Sequence, residues 1–76
     1  MEEFIVSIVK KLVDQPDDVN IKEIQGEKSV IYELRVNPAD IGKVIGKRGR
    51  IIGAIRTIIK ASAAKTDMKV QLEVLD

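Results

Sequence analysis

Residues 41–52 read Ile41-Gly42-Lys43-Val44-Ile45-Gly46-Lys47-Arg48-Gly49-Arg50-Ile51-Ile52. Two glycines, Gly46 and Gly49, bracket two cations. Glycine has no Cβ, so a positive φ is open to it and a ligand backbone can approach closely. A helical apolar pattern starts directly after Gly49. That puts the loop at a helix N-terminus, where unpaired N–H groups and the positive end of the dipole favour an anion. Lys43, Lys47, Arg48 and Arg50 add mobile positive charge. Small residues, free donors and cations gathered at one point suit a phosphate-bearing chain. A plainer alternative, a tight helix–helix turn with cations for solubility, fits any isolated Gly-x-x-Gly.

The flanks of this stretch set the fold. Residues 50–64 are rich in isoleucine, which by propensity favours a strand. Spacing predicts a helix instead: Ile51, Ile52, Ile55, Ile58 and Ile59 form one stripe, and Arg50, Gly53, Arg56, Thr57 and Lys60 the other face. Gly53 costs this helix about 1 kcal/mol relative to alanine. Lys65-Thr66-Asp67 is a turn, and residues 68–75 a strand with Val70, Leu72 and Val74 inward. Upstream, Asn37 and Pro38 supply an N-cap and first position for a short helix, about Pro38 to Val44, that runs into the glycine loop. Residues 29–36 alternate cleanly, with Val30, Tyr32, Leu34 and Val36 on one face. Residues 19–25 pair with them as a hairpin through the turn Gln25–Lys28. Glu23-Ile24 breaks the alternation there and points to a bulge or a sheet edge. Residues 2–14 form an amphipathic helix, its stripe Phe4, Ile5, Ile8, Val9, Leu12 and Val13, stopped by Pro16. The order is α-β-β-α-α-β. Each strand has one apolar face, so the expected fold is α+β, a three-stranded mixed sheet covered on one face by three helices.

Bulk composition narrows the function. Seventy-six residues make one expected domain, 1–76, and a chain of this size buries only about 60–65% of its unfolded surface. There is no cysteine and no histidine, so disulfides, Cys/His metal sites and His-based catalysis are excluded. The acidic start Met-Glu-Glu-Phe lacks the basic n-region of a signal peptide, and no apolar run approaches a membrane span. A cytoplasmic protein without membrane attachment is expected. Net charge is only +1, but it is unevenly spread: residues 1–40 carry five cations and nine anions, and residues 41–66 seven cations and no anion. A segregated basic region is the footprint of a nucleic-acid surface. For Arg56, Lys60 and Lys65 a solvated helix face is the alternative.

Val44-Ile45-Gly46-x-x-Gly49-x-x-Ile52 resembles the signature of the KH domain, a module that binds single-stranded nucleic acid. All five defined positions match. The element order is similar to the type II KH fold, with a minimal motif at about 29–76. The whole chain resembles the small stand-alone bacterial KH proteins of the KhpA family. That resemblance implies a clamp on the nucleic-acid backbone, Gly46-Lys47-Arg48-Gly49, flanked by Gly42, Lys43 and Arg50. It implies an apolar groove for about four bases, shaped or floored by Ile41, Val44, Ile45 and Ile52, with Gln25–Lys28 as a variable loop on its far side. It further implies self-association or pairing with a KhpB-type KH protein, and an RNA-chaperone or post-transcriptional role in cell shape and cell-wall homeostasis.

Other classes fit less well. A P-loop needs Gly-x4-Gly-Lys-Ser/Thr, and a dinucleotide fingerprint needs Gly at position 44, which is Val. No base or metal cluster accompanies the loop, so no catalytic residue, cofactor, metal or small-molecule substrate is expected. A protein–protein module with a vestigial groove and a single-stranded DNA binder are the competing readings. A groove for four nucleotides binds weakly alone, so a second groove from another subunit is expected. Gly53, Ala54, Thr57, Ala61 and Ala64 offer small side chains for a close helix–helix contact.

Overall fold

The core is laid down by alternation in the middle strand. Val30, Tyr32, Leu34 and Val36 are all buried, Leu34 completely, because every second residue of a strand shares a face. This strand, β2 (Ser29–Arg35), lies between β1 (Asn20–Gln25) and β3 (Lys69–Leu75). β1 pairs with it antiparallel and β3 parallel. The parallel pairing requires a long crossover, which residues 36–68 provide. The computed structural model describes residues 1–75.

Three helices cover the apolar face. Helix α1 (Glu2–Leu12) lies against β1, and α3 (Arg50–Ala63) lies over β3 with α2 (Ile41–Ile45) beside it. The fold is thus the α+β arrangement α-β-β-α-α-β of a type II KH domain, with a mixed three-stranded sheet. Ile5 and Val9 of α1, Val44 of α2, and Ile52, Ile55 and Ile59 of α3 interlock with the sheet. Glu2 and Glu3 open α1 and Lys10 and Lys11 close it, each pair complementing the dipole.

Several expectations are corrected. Helix α1 ends at Leu12 rather than residue 14, because Val13 turns extended (φ −97°, ψ 157°) to keep its side chain in the core. Pro16 opens a separate 3-10 turn, Pro16–Asp18. Phe4 is 41% exposed, since β1 is an edge strand and only the Ile5–Val9 line of α1 meets it. There is no bulge in β1: pairing runs unbroken from Asn20–Arg35 to Gln25–Val30. The disturbed alternation marks the sheet edge alone. Glu23 shares the helix-side face with Tyr32, and its carboxylate accepts from the Tyr32 hydroxyl at 3.0 Å. Burial, then that carboxylate, pushes the Tyr32 hydroxyl up to about 12. Ile24 pairs with Ile31 on the open face and is 40% exposed.

The helix expected over 38–44 is split. Asn37 Oδ1 accepts from the Ala39 N–H at 2.9 Å, capping a 3-10 turn, Pro38–Asp40, and α2 follows. Asp40 explains the tight start. Its carboxylate is buried, accepts the Gln15 N–H at 3.0 Å and lies 3.6 Å from Lys43 Nζ. It therefore ties the α1–β1 connection to the helix that carries the glycine loop. In α3 the expected stripe is too wide: Ile52, Ile55 and Ile59 are buried, Ile51 partly so, and Ile58 is 45% exposed.

Candidate nucleic-acid interface

Gly46 ends α2 with φ +76° and ψ 173°, and its own N–H closes on Gly42 O at 2.9 Å. Such a conformation belongs almost exclusively to glycine. Lys47–Gly49 form one 3-10 turn in which the Gly49 N–H donates to Gly46 O at 3.1 Å. Arg48 (φ 56°) and Gly49 (φ 72°) are both left-handed. Arg48 is the one non-glycine residue with positive φ among the described residues. The result is a narrow projecting turn with the Lys47 and Arg48 side chains exposed. Neither side chain has a hydrogen bond or ion pair among the described residues.

The loop sits at the start of α3, as expected, and no side chain caps that helix. The Gly49 and Arg50 N–H groups turn back to Gly46 O and Lys47 O. The N–H groups of Lys47 and Arg48 meet no backbone acceptor among the described residues. Two amides without a backbone partner and two exposed cations thus belong to the same short turn. Arg50 is also exposed, at the first position of α3.

Not every residue singled out from the sequence joins this turn. Lys43 is engaged by two carboxylates, hydrogen-bonding Asp14 Oδ2 and facing Asp40, and the Asp14 bond raises its pKa. Its charge is therefore largely answered within the chain. Val44 and Ile52 are buried core residues beneath the loop, while Ile41 and Ile45 keep part of their surface exposed. Gly42 is exposed with open space around its Cα. The turn Gln25–Lys28 lies at the opposite end of the sheet from the glycine loop, bonded to the start of β3 through Lys69 N–H and Lys28 O at 2.8 Å.

Beyond the loop a groove of ≈ 500 Å³ runs between α3 and β3, walled by Arg56, Ile59, Lys60, Ala63, Met68 and Leu72. It is lined by the C-terminal half of α3 and the start of β3, and neither the glycine loop nor Ile41, Val44, Ile45 and Ile52, expected to shape the base groove, is among its lining residues. Arg56 spans it: Nε at 3.1 Å and Nη2 at 2.9 Å donate to Leu72 O. Nothing in the sequence signals this contact, because the acceptor is a backbone carbonyl sixteen positions away. On the outer side of α3, Ala54, Thr57 and Ala61 are exposed, Gly53 partly so, and Ala64 continues the line just past the helix end. Ile58 lies among them, an exposed apolar residue that the helical stripe had assigned to the core. No helix is long and apolar enough to cross a membrane, and no cluster suited to a metal ion occurs among the described residues.

A family model described as KhpA/KhpB, KH domain, matches residues 2–74. The chain is 60% identical over 74 residues to the RNA-binding protein KhpA of Borreliella burgdorferi, covering 97% of this chain and 90% of that one. It is 53% identical over 75 residues to the RNA-binding protein KhpA of Clostridium perfringens, covering 99% and 100%. With the protein of that name from Chlamydia trachomatis it shares 51% identity over 76 residues, covering 100% and 97%.

Proposed function

The chain belongs to the KhpA/KhpB KH-domain family, and from that membership we propose that it binds single-stranded RNA, gripping the backbone with Gly46–Gly49 and receiving bases in the groove between α3 and β3. The observation that carries this reading is the conformation of the loop. Gly46, Arg48 and Gly49 at positive φ form a tight turn that carries two unpaired cations and two amides without a backbone partner among the described residues. A phosphate there meets charge and directed donors together. The groove farther along α3 is apolar below and carries Arg56, Lys60 and Lys69 at its rim, which suits a base with its phosphate outside.

Salt dependence tests the reading. About four nucleotides in the groove bring about three phosphates to the clamp, so log K for a short single-stranded RNA falls with log salt at a slope of about −2. A slope near zero between about 50 and 300 mM salt would exclude a backbone clamp. A much steeper slope would mean that Arg56 and Lys60 also lie along the strand.

On the same footing we infer a chaperone or regulatory role exercised with a second KH subunit, another copy or a KhpB-type protein, in cell shape and cell-wall homeostasis. One groove of four nucleotides is weak, and joining two raises affinity by about 10²–10⁴. The outer side of α3 fits such a contact, with small residues around the 45% exposed Ile58. Ala61→Tyr is therefore expected to give a folded monomer with weaker RNA binding. Sedimentation of wild-type protein as a pure monomer at micromolar concentration, with no partner recovered from cells, would defeat this.

A further inference from the structure

Asp40 is the one buried charged side chain among the described residues, 1% exposed, and it stands at the N-cap of α2. An aspartate in that place ordinarily accepts from N–H groups in the first turn of its own helix. Here it makes no such bond. Oδ2 accepts instead from the Gln15 N–H at 3.0 Å, 25 positions back in the chain. Oδ1 lies 3.6 Å from Lys43 Nζ, and Lys43 reaches on to Asp14. Asp14 and Gln15, just past α1, are thus both held from the start of α2.

Helix α2 depends on such a hold. It has five residues, far below the length at which a helix is stable alone. Of these only Val44 is fully buried, with Ile41 and Ile45 partly so. Apolar contacts are non-directional, and they fix the depth of the helix better than its direction. The bond from Gln15 to Asp40 supplies direction, since breaking it would strand a buried carboxylate and an N–H together. From that end the helix runs to Gly46, where the backbone turns out into Lys47–Gly49. A swing at Asp40 would be carried to the loop.

Resting on the reading of Gly46–Gly49 as an RNA clamp, we propose that Asp40 is a positioning residue for that clamp: its bond to the Gln15 N–H holds α2 in the orientation from which Lys47 and Arg48 meet a phosphate. Being buried, Asp40 touches no RNA itself. The sign of the effect separates this role from plain electrostatics. Asp40 is an anion at the foot of a helix that carries a cationic loop, so by charge alone its removal strengthens RNA binding. Positioning predicts the reverse. With the tie broken, only molecules with α2 in place are competent, and apparent affinity falls by that fraction. Competent molecules make the same phosphate contacts, so the salt slope is unchanged.

The experiment measures affinity for a mixed-sequence single-stranded RNA between about 50 and 300 mM salt. It compares wild type, Asp40→Ala, Asp40→Asn, Asp40→Glu and Val9→Ala, each well below its unfolding midpoint, with folding checked by circular dichroism. Asp40→Ala is expected to bind at least about fivefold more weakly, with an unchanged slope. Asp40→Asn keeps a side-chain oxygen for the Gln15 N–H and stays within about twofold of wild type. Asp40→Glu keeps the charge but displaces the carboxylate by a methylene, and it also binds more weakly; it decides the matter should Asp40→Ala fail to fold. Val9→Ala removes core contacts of α1 and lowers the unfolding midpoint without weakening binding. Unchanged or tighter binding in Asp40→Ala or Asp40→Glu, no rescue by Asp40→Asn, a slope that changes with affinity, or an equal loss in Val9→Ala would overturn the proposal while wild-type binding stands. If wild type binds no RNA, the clamp reading itself fails, and the proposal with it.

Discussion

Replacing Lys47 and Arg48 together with aspartate is expected to lower affinity for single-stranded RNA by at least about a hundredfold, because two charge-assisted phosphate contacts are lost, each worth about 1.5–3 kcal/mol. Reversal adds repulsion to that loss. The fold should survive unchanged. Both side chains are exposed, and neither bonds to another side chain among the described residues. Arg48 sits at φ 56°, a conformation that aspartate tolerates better than most side chains. Aspartate at position 47 lies just before α3, where a negative charge complements the helix dipole. Gel shift and circular dichroism together check the result. Wild-type affinity in the double variant would remove the clamp assignment, and loss of helical signal would mean that the loop supports the fold rather than a ligand.

The charge pattern of the sequence located this surface only coarsely. Seven cations without an anion over residues 41–66 mark a basic side, but Lys43 is answered by Asp14, 29 positions away, and by Asp40. Asp14 meets Lys43 only after α1 and α2 have packed, and Asp40 lies one residue outside the counted stretch, so one-dimensional charge counts overstate the free charge near the clamp. Lys47, Arg48 and Arg50 keep theirs: all three are exposed, and none has an ion pair among the described residues.

Periodicity served better for the elements than for their edges. Alternation in Val30, Tyr32, Leu34 and Val36 located the central strand and its buried face, and isoleucine spacing gave α3 despite strand-favouring residues. Both signals come from elements packed on the core along their length. Phe4, Ile24 and Ile58 were harder to place, since an apolar residue at a correct interval is buried only if a neighbour reaches that far. At the rim of a three-stranded sheet it does not. The break at Glu23-Ile24 illustrates the same point: the sequence could not separate a bulge from an edge, and regular pairing to Gln25 leaves the edge. The split of the helix expected over 38–44 depends on Asp40, whose burial fixes the turn before α2 and has no periodic signal. The groove wall made by Arg56 and Leu72 was equally hidden, being a side-chain contact to backbone.

The two glycines of the loop, equivalent in the motif, are expected to differ sharply when replaced. Gly46 has φ +76° and ψ 173°, a region nearly closed to side chains. A Cβ added there would also lie 2.6 Å from Ile51 Cγ1 and 3.0 Å from Ile51 Cβ. Ile51 is β-branched and stiff at χ1, and its Cβ is fixed to the α3 backbone, so little relief is available. Gly46→Ala should cost about 3 kcal/mol, a large share of the roughly 4–11 kcal/mol available to a domain of this length. The midpoint of thermal unfolding should then fall by more than about 10 °C. Gly49 is left-handed at φ 72°, ψ 19°, and its added Cβ meets nothing nearer than Ile52 Cγ2 at 4.0 Å. Gly49→Ala should cost only about 1–2 kcal/mol, and Gly49→Asn less, because asparagine visits this region readily. Thermal and urea denaturation of the three variants give the ranking directly. Equal losses at the two positions, or a larger loss at Gly49, would show that Ile51 yields and that Gly46 is not the hinge on which the loop turns out of α2.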